Sequence, residues 1–168
     1  MRAHWAYLKY VVRHKWFVFV AGRRVKSPLW RLIIHDWSKF LPCEWFPYVA
    51  QFYGRKPTED EERITYNLGI SIKTRAEIKA DFNAAWNHHQ KSNKHHWQYW
   101  ILINDSDEPK IRPQPMPVSY VREMVADWMG AGRAITGKWD VQTWYTDNRD
   151  KIILHDHTRR LVEHILTP

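Results

Sequence analysis

Apolar and aromatic residues recur at three- and four-residue steps along most of this chain, and Gly and Pro cut the runs into helix-sized pieces. Leu8, Val11, Val12, Trp16 and Phe19 lay such a stripe along a first helix over residues 3–20, which Gly22 closes. Ser27 followed by Pro28 is an N-cap and first-turn pair, and it opens a second helix over residues 28–39. Residues 42–52 read as a third, short helix ended by Gly54. Residues 55–69 are charged, with Pro57 and an acidic run from Glu59 to Glu62, and read as a mobile surface loop with a helical turn. Ile78, Phe82, Ala85 and Trp86 share one side of a strong helix over residues 74–90, and Ser92 or Asn93 caps a further one from His95 through Trp100. Residues 104–117 hold four prolines and an Asp-Ser-Asp turn, which predicts an irregular connection or a small hairpin. Val121, Met124, Val125 and Trp128 mark a helix over residues 119–131, terminated by Gly130, Gly132 and Gly137. The last two helices span residues 140–149 and 158–166, joined by Ile152-Ile153-Leu154.

At 168 residues the chain is long enough for one well-buried core, and no break in composition divides it, so a single domain over residues 1–168 is expected. An aromatic share of 15 %, with eleven Trp, makes that core bulky or leaves rings facing a ligand. The formal charge of +8 favours an anionic partner: a nucleotide or other small phosphoester, with nucleic acid as a further candidate. The lone Cys43 allows no internal disulfide and no thiolate zinc cluster. Residues 11–21 are interrupted by Arg13, His14 and Lys15, which suits neither a signal sequence nor a membrane span. A soluble cytoplasmic protein is expected, in the host cytoplasm if a phage encodes it.

The chemistry lies in the histidines and aspartates. His35-Asp36 places two N/O donors at one point, His14 stands on the preceding helix and Asp127 on a later one, so four donors come from three helices. Imidazole nitrogen with carboxylate oxygen suits a divalent transition ion, with Zn, Mn, Fe, Ni and Co all open. His89 and His96 are seven apart, and on one face or across a bend at Asn93 they can serve a second ion with Asp36 bridging. His88 and His95 have the same spacing, which leaves the register open. The plain alternatives are a packed or surface role for His14 and a solvent-facing one for Asp127. His155-Asp156 precedes Thr158 at a helix start, where capping accounts for it.

A histidine on one helix, a His-Asp pair on the next, further histidines and a distal aspartate resemble the HD-domain metal-dependent phosphohydrolases. His14, His35-Asp36, His89, His96 and Asp127 carry the likeness, and His35-Asp36-Trp37-Ser38-Lys39 is similar to that group's HD-x-x-K form. The resemblance implies an all-α, HD-domain-like bundle with a small irregular or hairpin insertion, an active site inside it, and Lys39 near the substrate phosphate. A likeness over nearly the whole chain is to small phage and prophage proteins of unknown function (DUF5662-like), through Ala85-Trp86 to Trp100, Met116-Pro117 and residues 123–128.

The expected activity is therefore hydrolysis of a nucleotide or other small phosphoester by metal-activated water, with one or two ions bound. Asp36, His89 and Lys39 are the expected catalytic residues. Lys39, Trp37, His95 and Arg122 are expected at the substrate. Arg13, Arg31 or Arg133 could replace Arg122 on the phosphate oxygens, and Trp97 or Trp100 could share a base platform with Trp37. Glu44 and Glu123 are candidates for the general acid. Two competing expectations remain. A similar His/Asp set serves di-iron oxygenases of the same helical fold, and a basic nucleic-acid-binding or host-interaction protein could keep a structural metal. An aromatic-rich surface also suits an oligomer interface.

Overall fold

The computed structural model of the chain describes residues 1–106 and 108–167. Among them are eight α-helices: α1 (Arg2–Arg24), α2 (Leu29–Ile34), α3 (Pro42–Phe52), α4 (Glu59–Asn67), α5 (Arg75–Ser92), α6 (Val118–Thr136), α7 (Val141–Asn148) and α8 (Asp156–Leu166). Short 3-10 turns cover Trp37–Phe40, Trp97–Trp100 and Arg149–Lys151. The proline-rich stretch is a hairpin, β1 (Ile101–Ile103) with β2 (Ile111–Pro113), paired antiparallel with Leu102 opposite Arg112. The fold is all-α with a small hairpin insertion. No helix among the described residues is long and apolar enough to cross a membrane.

Local departures from the sequence reading have physical causes. Gly22 does not end α1; it lies inside the helix, where an added Cβ would stand 2.3 Å from Leu32 Cδ2, so the glycine admits the Leu32 side chain. Gly130 and Gly132 are likewise inside α6, and only Gly137, with φ 76°, ends that helix in the left-handed conformation. The segment read as a loop contains α4. Glu61 N donates to Thr58 Oγ1 (3.2 Å) while Thr58 N donates to Glu61 Oε2 (2.9 Å), a reciprocal cap. The acidic run is the first turn of that helix, where carboxylates complement its dipole. His95 and His96 precede a 3-10 turn instead of opening an α-helix. The largest departure is in the second helix: α2 opens with Pro28 at its N-cap rather than Ser27, and it stops at Ile34, five residues early.

The chain forms two compact units, one from Met1–Lys9 with Ser38–His89, the other from Tyr10–Trp37 with Gln90 onward. The first is centred on aromatic rings, with Tyr7 against Trp45 (centroids 4.8 Å) and Phe52 edge-on to Phe82 (5.1 Å). In the second, α6 packs on α7 and α8 and feeds two apolar clusters. Val121, Met124 and Val125 join Tyr145, Ile152, Leu154 and Val162 in one, and Trp97 and Trp100 pack against it. Ala126 joins Val18, Ala21 and Leu32 in the other. Full burial of each such aliphatic side chain contributes about 1.5–3 kcal/mol. Two clusters thus grip α6 on either side of Glu123 and Asp127, and the helix holds both carboxylates in fixed positions.

Candidate metal centre

His14 is 1 % exposed on α1, and its ring stacks on Tyr10 one turn earlier (6.0 Å, 16° between planes). His35 is the C-cap of α2, with ψ 130°, and Asp36 follows at φ 55°. That left-handed angle costs a residue with a Cβ about 1–2 kcal/mol, and Asp tolerates it better than most. The kink keeps both side chains inside, each 1 % exposed. Lys15 on α1 secures the break by donating to the carbonyls of His35 and Ile33, the latter at 3.4 Å. Strain of this kind, at a buried charged residue, is characteristic of functional sites.

The four predicted donors converge within the second unit. His14 Nε2 lies 3.2 Å from Asp36 Oδ2 and 3.2 Å from Asp127 Oδ1. His35 Nε2 lies 3.4 Å from each of the same two oxygens. Each of the four residues offers an atom within 4.8 Å of the others, and all four are buried. Nitrogens and carboxylate oxygens pointing at one spot suit a divalent first-row ion in donor type and number. A bound ion would replace the protons these groups otherwise share.

His95, expected beside the substrate, lies in the cluster itself. Its Nε2 is 3.3 Å from Asp36 Oδ1 and 3.9 Å from Asp127 Oδ2, and the residue is 3 % exposed. His96 is half-buried with its ring centroid 4.3 Å from that of His95, and Asp36, His95 and His96 also offer donor atoms within 4.8 Å. The two oxygens of Asp36 therefore face different histidines.

Glu123, considered as a general acid, has another environment. Its Oε1 accepts from His35 Nδ1 (3.2 Å) and lies 3.3 Å from His95 Nδ1, while Oε2 is 3.6 Å from Arg31 Nη1. Arg31 in turn sits over the Tyr120 ring, 3.6 Å from its centroid. Burial would raise the Glu123 pKa, but hydrogen bonds and charge from His35 and His95 outweigh it and hold the carboxyl at about 2. An acid that weakly basic as its anion does not donate a proton near neutrality. Asp127 is also opposed by burial, and its bonds to His14 and His35 bring it well below the usual carboxylate range. Burial would lower His95, yet Asp36, Glu123 and Asp127 raise it to about 10. Three buried carboxylates so close together need cations, and a divalent ion is one that the donor set could hold.

The first unit carries its own charged group. Glu44, 0 % exposed on α3, accepts from His88 Nδ1 at Oε1 (2.7 Å) and from His89 Nδ1 at Oε2 (2.8 Å). Ser38 Oγ lies 3.1 Å from His89 Nδ1. Burial opposes ionisation of Glu44, but His89, Ser38 and His88 lower its pKa overall. Of the neighbouring histidines, His89 is the buried one and His88 is exposed. Lys39, in the same unit, is buried within a 3-10 turn.

The remaining residues have identifiable roles. Trp37 is 65 % exposed. Arg122 donates to the Lys26 carbonyl (3.0 Å), bracing the turn after α1, and Arg13 donates to that of Ala134 (2.8 Å). Arg133 lies over the rings of Phe17 and Trp139. His155 caps α8 by accepting from His157 N (3.1 Å), as its position before Thr158 predicts. Two participants escaped the sequence reading in their observed roles: Glu123 and Glu44, each joined to two histidines. A signal for Glu123 existed, since it stands four residues before Asp127 and so shares its helix face.

No curated protein and no solved structure matches the chain. A family match does extend over residues 3–168, which takes in every residue of the centre, and the chain belongs to that family, the family of unknown function DUF5662.

Proposed function

We propose that this protein is an HD-type metal-dependent phosphohydrolase acting on a nucleotide or other small phosphoester. The observation that carries the reading is the convergence of His14, His35, Asp36 and Asp127, from three separate segments, on one buried point in the order histidine, His-Asp, aspartate. When bound, a divalent ion supplies Lewis acidity that brings the pKa of a water near 7 and screens the phosphate charge. The chain's own residues do the rest. His14, His35, Asp36 and Asp127 hold the ion, and Lys39, three positions after Asp36, neutralises the phosphate oxygens. The net charge of +8 draws the anionic substrate.

The test is a panel of phosphoesters, from p-nitrophenyl phosphate to nucleoside mono-, di- and triphosphates, offered to chelator-treated protein resupplied with single divalent metals. Turnover should require a metal, and Lys39→Ala should lower kcat/KM by about a hundredfold while metal content stays unchanged. Full activity in Lys39→Ala would remove that residue from the site, and no turnover with any ester and metal would refute the hydrolase.

One observation favours a second reading. The oxygens of Asp36 face His14 and His35 on one side and His95 on the other, the arrangement of a carboxylate able to bridge two ions. A di-iron oxygenase acting on a small organic substrate would use such a bridge. Consumption of oxygen that depends on iron, with no phosphate release, would select it.

A further inference from the structure

We infer that Glu123 is a positioning residue that sets the ring orientation and proton placement of His35 and His95 together. A single oxygen, Oε1, faces Nδ1 of His35 at 3.2 Å and Nδ1 of His95 at 3.3 Å. The ring centroids of the two histidines are 4.4 Å apart, so one carboxylate reaches both without strain. With a proton held on each Nδ1, both Nε2 atoms face Asp36, the orientation from which either ring can serve as a ligand there once a metal displaces any proton on Nε2. Glu123 is held in its turn. Arg31 approaches Oε2 at 3.6 Å, and Tyr120, over which Arg31 lies, is on the same helix as Glu123.

The shared oxygen has a specific consequence. His35 sits with His14 on Oδ2 of Asp36, whereas His95 faces Oδ1. Glu123 thus connects the histidines on the two sides of the same aspartate, and disturbing it disturbs both. A carboxylate behind one histidine would tune one ligand; this one couples two. Its functional weight rests on the metal-binding reading above, while the proton placement does not.

Two measurements on the full-length chain keep the two apart. Metal-stripped wild type and Glu123→Gln are titrated with Co(II), following the visible absorption of the bound ion. The glutamine is isosteric but a much weaker acceptor, so affinity should fall by about 10- to 100-fold and the absorption bands should shift, a spectroscopic change that a merely structural role would not produce. Equal affinity with identical bands would overturn the inference and leave the metal reading intact. If wild type binds no Co(II), the metal reading falls, and ring 15N shifts of the wild-type chain decide the inference alone. Protonated Nδ1 on both His35 and His95 sustains it, as it also does should Glu123→Gln fail to fold. A proton on Nε2 only, in either ring, overturns it.

Discussion

Asp36 combines two properties that are rarely found together: a left-handed backbone angle, φ 55°, and a carboxylate excluded from water. Asparagine tolerates the same angle and nearly matches the shape, so Asp36→Asn separates the charge from the backbone, which Asp36→Ala does not. Glu123 allows a second separation, by pH. Its folded pKa of about 2 lies below the 4.5 usual for a glutamate, so its contribution to stability is complete above about pH 4.5 and disappears as pH falls towards 2. Denaturant unfolding of metal-free protein should accordingly show wild type more stable than Glu123→Gln at pH 5 to 6, with the gap closing between about pH 4.5 and 2. A gap that stays constant over that range would mean the carboxylate is not held by His35 and His95.

Among the elements, α1 and α6 come close together at Gly130. A Cβ there would meet Val18 N at 2.6 Å and Val18 Cα at 2.8 Å, backbone atoms that cannot swing aside. Glycine in mid-helix costs about 0.5–1 kcal/mol relative to alanine, so Gly130→Ala at an open position would stabilise. Here the overlap decides the sign, and Gly130→Ala should destabilise by about 1–3 kcal/mol in denaturant melts. An increase in stability would show that the helices are not in contact at that point. Gly132, with nothing within 4 Å of an added Cβ, is the control, and alanine there should be neutral or stabilising. The helices with regular apolar spacing, α1, α3, α5 and α6, were legible in the sequence, as was the proline-marked hairpin. So was the convergence of His14, His35, Asp36 and Asp127, because residue type and order single these four out. Three features were not legible. The early end of α2 depends on the conformation of Asp36, which no periodicity records. The helix α4 has no buried residue and stands on its cap and first-turn charges. The contacts that join histidine pairs to Glu44 and Glu123 reach up to 88 residues along the sequence, a separation that only the tertiary fold closes.

At the scale of the whole molecule, the proposed function gives the +8 charge and the buried carboxylates complementary tasks, the first to draw an anionic substrate and the second to hold a cation. An ion that binds the folded chain and not the unfolded one stabilises it by mass action, about 2.7 kcal/mol at a free concentration a hundred times Kd. For a chain of this length that corresponds to a rise in Tm of roughly 5–10 °C, reversed by chelator. Because the histidines must give up protons to bind, the rise should shrink as pH falls. Magnesium, which prefers oxygen donors and ideal octahedral geometry, should produce a smaller rise than Zn or Co. The most direct test is metal content per chain by elemental analysis, on wild type and Asp36→Asn purified side by side without chelator or nickel affinity steps. We expect one to two transition ions per wild-type chain and fewer than about one-tenth as many in a folded Asp36→Asn. A metal-free wild type, or a variant that keeps its full complement, would contradict the assignment of His14, His35, Asp36 and Asp127 as a metal centre.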